Sequence, residues 1–125
     1  MASIYLIVDS DRFSRLVLQG FYEYLRPDWQ VFHAASSEEA LLIAASTKLD
    51  LVSIDFNMQG LNGIAAAMAL RQVQPDARIA VLTAHSQATL QSRWRCSGMR
   101  FVYKPITLAS AREIASLAEN AHGQA

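Results

Sequence analysis

Apolar and polar residues fall in alternating blocks along the chain. Ile4 to Val8 is short, apolar and rich in β-branched residues, which predicts a strand buried on both faces. Phe13, Leu16, Val17, Gly20, Phe21, Tyr24 and Leu25 recur at steps of three and four, the period of a helix, and Pro27 follows the last of them. Trp29 to Ala34 alternates weakly, as an edge strand does. Ser36 with Glu39 three residues later is a capping-box signature for a helix through about Ser46, with Ala40, Leu41, Ala44 and Ala45 as its apolar face. Leu51 to Ile54 reads as the third strand. Gly60 and Gly63 then mark a turn before an alanine-rich helix from Ile64 to Val73, closed by Pro75. The remaining blocks predict a strand at Ile79 to Leu82, a helix from Gln87 to Ser97 stopped by Gly98, a strand at Phe101 to Tyr103 and a helix from Leu108 to Asn120. Strands alternating with helices, without linker or repeat, predict a doubly wound α/β sheet.

Polar residues stand where the apolar runs stop: Asp9 after the first strand, Asp55 after the third, Thr83 after the fourth and Lys104 after the fifth. In an open parallel sheet the carboxyl ends of the strands line one crevice, so these four residues are expected to meet. Taken singly, each could simply mark where a strand reaches solvent. Together their chemistry suits a phosphoryl group. Two carboxylates held about 4 Å apart repel by about 4 kcal/mol at an effective dielectric near 20, which invites a hard divalent cation with oxygen ligands. Lys104 supplies a charge for phosphate oxygens, and the Thr83 hydroxyl can donate a hydrogen bond.

Composition narrows the picture. The 125 residues are expected to form one domain, 1–125, large enough to fold without a disulfide or metal staple. Lone Cys96 excludes an internal disulfide framework and fits a reducing, cytoplasmic compartment; it reads as a packing residue of its helix. Formal neutrality, with 11 basic and 11 acidic side chains, argues against direct nucleic-acid or non-specific membrane binding. No apolar run approaches the length of a membrane span. Asp9 to Phe13 contains no glycine, so no nucleotide-cradling loop follows the first strand. His33, His85 and His122 are not spaced as metal ligands; His33 and His122 read as satisfied or exposed histidines.

The motifs resemble, over the whole chain, the receiver domains of two-component response regulators. They are Val8-Asp9, then Asp55-Phe56-Asn57-Met58-Gln59-Gly60 with Gly63 eight residues after the aspartate, Thr83-Ala84, and Lys104-Pro105. The resemblance implies a flavodoxin-like, five-stranded parallel sheet in the order 2-1-3-4-5 with helices on both faces. It implies a signalling protein of a bacterial phosphorelay, in which Asp55 is the phosphoacceptor and a sensor histidine kinase or a phosphotransfer protein is the partner. By the same matching, Asp9, Asp55 and the backbone carbonyl of Asn57 would hold Mg²⁺, Thr83 and Lys104 would grip the phosphoryl oxygens, and Phe101 would be the aromatic switch. His85, two residues beyond Thr83, falls at a position that can modulate phosphoryl lifetime. A cis Lys104–Pro105 peptide is the family's preference. Such a domain turns over no external substrate, and at most catalyses its own phosphorylation and dephosphorylation.

Departures from the family pattern matter. The second of two adjacent acids, normally the direct metal ligand, is here Ser10, a poorer ligand for a hard cation. Weakened Mg²⁺ binding is therefore expected, with Asp11 as a substitute of uncertain geometry. Gln59 and Asn62 replace a frequent proline and a frequent aspartate. One alternative is a phosphorylation-independent docking module of the same fold. A second is a haloacid-dehalogenase-type phosphatase using Asp9 and Asp11, but the acids after Lys104, Glu113 and Glu119, fall inside the last helix, and Asp55 would have no role.

Charge, finally, is segregated. Residues 1–62 carry eight acids and four bases, residues 63–125 three acids and seven bases. Arg93, Arg95, Arg100 and Arg112 fall on or beside the region that in receiver domains serves output or dimerisation: the predicted helix of residues 87–97, the fifth strand and the last helix. Trp94 there either completes the core or stands as an exposed anchor, and Tyr103 shares a strand face with Phe101. A homodimer or an acidic partner patch is expected on this surface.

Overall fold

The computed structural model describes residues 3–57, 63–84 and 99–123. Its elements run β1 (Ile4–Val8), α1 (Arg12–Leu25), β2 (Gln30–Ala34), α2 (Ser37–Ser46), β3 (Leu51–Asp55), α3 (Gly63–Val73), β4 (Arg78–Thr83), β5 (Arg100–Tyr103) and α4 (Leu108–Gly123). The strands are all parallel and ordered β2-β1-β3-β4-β5. This is the doubly wound sheet that the alternating blocks predict. The predicted helix over 87–97, with Arg93, Trp94, Arg95 and Cys96, lies outside the described residues, as do His85, Gly98 and the loop positions Met58, Gln59, Gly60 and Asn62. The His122 side chain lies outside them too.

Apart from Ser53 on β3 and His33 on β2, the strand interiors are apolar on both faces because helices cover both. Leu6 and Val8 of β1 point into one core with Val52, Ile54, Ile79 and Val81, against α2 and α3. Tyr5 and Ile7 point into the other with Leu51, Ala80, Leu82 and Val102, against α1 and α4. Side chains of alternate strand residues thus fill alternate layers. Fully burying an Ile or Leu such as Ile114 or Leu70 contributes about 1.5–3 kcal/mol each. In α3 the small side chains of Ala66 and Ala67 are buried, so that helix lies close upon the sheet.

Caps set the helix starts. Ser36 Oγ accepts the Glu39 amide at 3.1 Å, and the Glu39 carboxylate reaches back to the amide of Ala35. The capping box therefore forms, with its return bond one residue earlier than the usual partner. Helix α1 departs from the sequence pattern in which side it buries. Leu18 and Tyr22 are buried and Phe21 and Leu25 pack beside them, whereas Phe13, Leu16, Val17 and Tyr24 of the apolar series are exposed. The Tyr22 hydroxyl is bonded to that of Tyr5 inside the core, and Trp29 packs its ring against both. A phenol that finds a partner can replace an aliphatic residue in the packed face, which a hydrophobic count overlooks.

Candidate functional site

Parallel pairing brings the ends of β1, β3, β4 and β5 to one edge. Register pairs Val8 with Ile54, Asp55 with Leu82 and Thr83 with Tyr103, so that Asp9, Asp55, Thr83 and Lys104 lie across four adjacent strand ends. Asp9, Asp55 and Thr83 are buried, although each carries a polar side chain. Lys104 is partly exposed, and its ammonium donates to Asp55 Oδ1 at 2.5 Å. Its backbone amide donates to Thr83 O at 2.8 Å, which ties the end of β5 to that of β4. The Lys104–Pro105 peptide is cis.

Burial raises the Asp9 carboxyl above its ordinary value of 3.8, the Asp11 amide bond to it lowers it, and the like charge of Asp55 raises it further. Lys104 opposes that rise. Asp9 thus feels Asp55 directly, and the pair carries two buried carboxylates against one ammonium. That local excess of negative charge fits a cation. Asn57, whose backbone carbonyl is the third ligand that the family resemblance implies, follows Asp55 by two residues. Among the described residues no group of three or more His, Cys, Asp or Glu side chains gathers to enclose a metal. Two carboxylates and a carbonyl suit Mg²⁺, which keeps several waters and takes phosphate oxygens as ligands.

The residue after Asp55 is tied both to β4 and to the start of α3. Phe56 N donates to Leu82 O at 2.8 Å, and Gly63 N donates to Phe56 O at 2.8 Å. A side chain at Gly63 has no room, since a Cβ there would stand 2.6 Å from Phe56 Cα and closer still to the Asp55 carbonyl oxygen. The spacing of Gly63 eight residues after Asp55 is therefore a packing requirement.

Ser10 and Asp11 are exposed. The Asp11 carboxylate is occupied as the cap of α1, accepting from Phe13 N at 3.2 Å and from Ser14 Oγ at 2.8 Å. Those bonds, the Ser14 hydroxyl foremost, hold its carboxyl below the ordinary range. Its backbone amide in turn donates to Asp9 Oδ1 at 2.9 Å. Asp11 consequently orients Asp9 from the backbone while its own oxygens serve the helix. Phe101 packs partly buried against the α2–α3 core, and Tyr103 is partly exposed beside it.

Arg15 belongs to this neighbourhood and no linear motif points to it. Its Nη1 donates to the backbone carbonyl of Asp9 at 2.5 Å, and its Nε to Nδ1 of His33 at 3.3 Å.

Residues 5–116 match the response regulator receiver domain. The chain belongs to that family. This receiver domain is 34% identical to the positive alginate biosynthesis regulatory protein of Pseudomonas aeruginosa over 81% of the chain, which spans 41% of that relative's length. It is 25% identical to sporulation initiation phosphotransferase F of Bacillus subtilis, with 86% of each chain covered. A CheY-like receiver domain structure from Methanospirillum hungatei superposes with a TM-score of 0.88 at 16% identity over the full length of both chains, a likeness of fold. No helix among the described residues of the receiver domain is long and apolar enough to cross a membrane.

Proposed function

We propose that this receiver domain relays a phosphorelay signal by accepting a phosphoryl group on Asp55. The observation that carries the reading is the Lys104–Asp55 ion pair at the shared strand edge, where a buried carboxylate meets a half-exposed ammonium beside buried Asp9 and Thr83. Ionised Asp55 attacks the phosphorus of a phosphohistidine or a small acyl phosphate. One P–N or P–O bond breaks as the aspartyl C–O–P bond forms, and a histidine leaving group takes up a proton. Asp55 loses its carboxylate charge in that step. Lys104 then finds its anion on the phosphoryl oxygens, and Thr83 can donate its hydroxyl to another of them. Asp9, Asp55 and the Asn57 carbonyl would hold Mg²⁺, which when bound neutralises phosphoryl charge. Ser10 in place of a second acid makes that hold weak.

The donor is a sensor histidine kinase or a phosphotransfer protein, and the relative named as a phosphotransferase supports transfer between proteins. The domain acts on no substrate beyond its own aspartate. Its output is a population shift at β5 and α4, driven by how differently two arrangements hold the phosphoryl group. A phosphatase built on Asp9 and Asp11 is disfavoured because Asp11 spends its oxygens on the cap of α1. Incubation with acetyl phosphate and Mg²⁺, followed by a phosphate-affinity gel, tests the function. A shifted band that Asp55→Asn abolishes is expected; its absence at millimolar Mg²⁺ leaves the docking-module reading in its place.

A further inference from the structure

His33, expected from the sequence to be a satisfied or exposed histidine, sits in a chain of hydrogen bonds that ends at the acidic site. It lies on β2, the edge strand, half-buried against α1. Its Nδ1 accepts from Arg15 Nε at 3.3 Å, so the proton of the neutral ring is on Nε2, which donates to Gln19 Oε1 at 2.6 Å. Arg15 therefore needs His33 in its neutral form. The other end of the same guanidinium donates to the Asp9 carbonyl at 2.5 Å, a charge-assisted bond.

Asp9 is held from three sides. Its amide donates to Ala34 O at 3.0 Å, its carbonyl accepts from Arg15, and its Oδ1 accepts from the Asp11 amide at 2.9 Å. Two of these bonds lead to β2 and α1, one directly and one through Arg15. The direction of the Asp9 carboxylate thus depends on that guanidinium as well as on the strand.

We propose that Arg15 is a positioning residue for the cation and phosphoryl site, and that its hold on Asp9 is released when His33 takes a second proton. The inference rests on the proposed function for its biological meaning. Protonated Nδ1 can no longer accept from Arg15 Nε, and it sets an imidazolium against a guanidinium. One cation must move, and Arg15, a half-buried side chain of α1, carries the bond to Asp9 with it. The charge that acts on His33 is that of Arg15 on α1, where Gln19 is the other polar neighbour. On β1 its register partner is the apolar Ile7. Helix α2 covers the opposite face of β2, where Phe32 and Ala34 pack. Burial and Arg15 both lower the titration of His33 from its ordinary 6.5, so the ring is neutral at pH 7 and above and the release belongs to acid conditions.

The test is an NMR titration of the full chain, following the His33 ring against pH and the Mg²⁺ affinity at pH 8 and pH 5.5. In the parent chain His33 titrates below 6.5. In Arg15→Gln its titration moves up toward 6.5, and Mg²⁺ binds about 10-fold more weakly at pH 8. His33→Asn keeps an acceptor for Arg15 and cannot be protonated, so its Mg²⁺ affinity falls less between pH 8 and 5.5 than the parent's does. A His33 titration in the parent at or above 6.5, or identical pH profiles in the parent and His33→Asn, overturns the proposal, as does unchanged Mg²⁺ affinity in a folded Arg15→Gln. Mg²⁺ binding that follows His33 without phosphorylation by acetyl phosphate supports this inference and overturns the function. No Mg²⁺ binding at pH 8 overturns both.

Discussion

Gly63 stands directly against the backbone of Asp55, with its amide bonded to Phe56 O and no space for a Cβ beside the Asp55 carbonyl. The start of α3 can lie this close to the end of β3 because that position lacks a side chain. Gly63→Ala is expected to destabilise the fold by about 1–3 kcal/mol, as overpacking does. Urea denaturation at pH 7 measures it. A midpoint equal to the parent's would mean that the approach relaxes freely.

Asp9 carries a cost that can be removed. Burial, with the Asp55 charge, raises its carboxyl, so the folded chain binds that proton more readily than the unfolded chain. The ionisation penalty is absent below pH 3.8, grows as pH rises toward the folded value, and is complete at neutrality. Asp9→Asn keeps the acceptor for the Asp11 amide and should be more stable than the parent at pH 7 by about 0.5–2 kcal/mol. The advantage should vanish near pH 3. Thermal melts at the two pH values check the sign, and an Asn variant less stable at pH 7 contradicts it.

Ser10 is exposed where the family carries a second acid. Ser10→Asp should tighten Mg²⁺ about 10-fold and speed acetyl phosphate labelling at limiting Mg²⁺, as a gained carboxylate ligand does. Titration by NMR or calorimetry measures the affinity. An unchanged value would show that position 10 does not reach the cation.

The Tyr5–Tyr22 hydroxyl pair is a buried polar contact at the second residue of β1, away from the carboxyl edge of the sheet. Burial holds both phenols protonated. Tyr22→Phe strips Tyr5 of that partner and should cost about 1–3 kcal/mol, whereas Tyr5→Phe with Tyr22→Phe should cost less than the two single changes summed. Strict additivity in chemical denaturation would dismiss the pair.

The architecture was legible because short apolar runs alternate with helical blocks and a polar residue closes each of four of those runs. A parallel sheet must bring Asp9, Asp55, Thr83 and Lys104 to one edge, whatever the loops do. The buried side of α1 was less legible, since the stripe through Phe13, Val17 and Tyr24 is as apolar as the face of Leu18 and Tyr22 that packs. Asp11 shows the same limit. As a carboxylate two residues after Asp9 it suits a metal, yet one residue before a helix it suits a cap, and the structure places it at the cap. The Arg15–His33 contact spans 18 residues and depends on β2 lying beside α1, so no local spacing announces it.

Direct mapping of the modified residue shows whether Asp55 takes the phosphoryl group. After acetyl phosphate and Mg²⁺, borohydride reduction of the acyl phosphate and mass spectrometry of the peptides should place one reduced site at Asp55 and none at Asp9 or Asp11. A reduced site at Asp9 or Asp11, or no modified peptide under conditions where Mg²⁺ binds, would contradict the account.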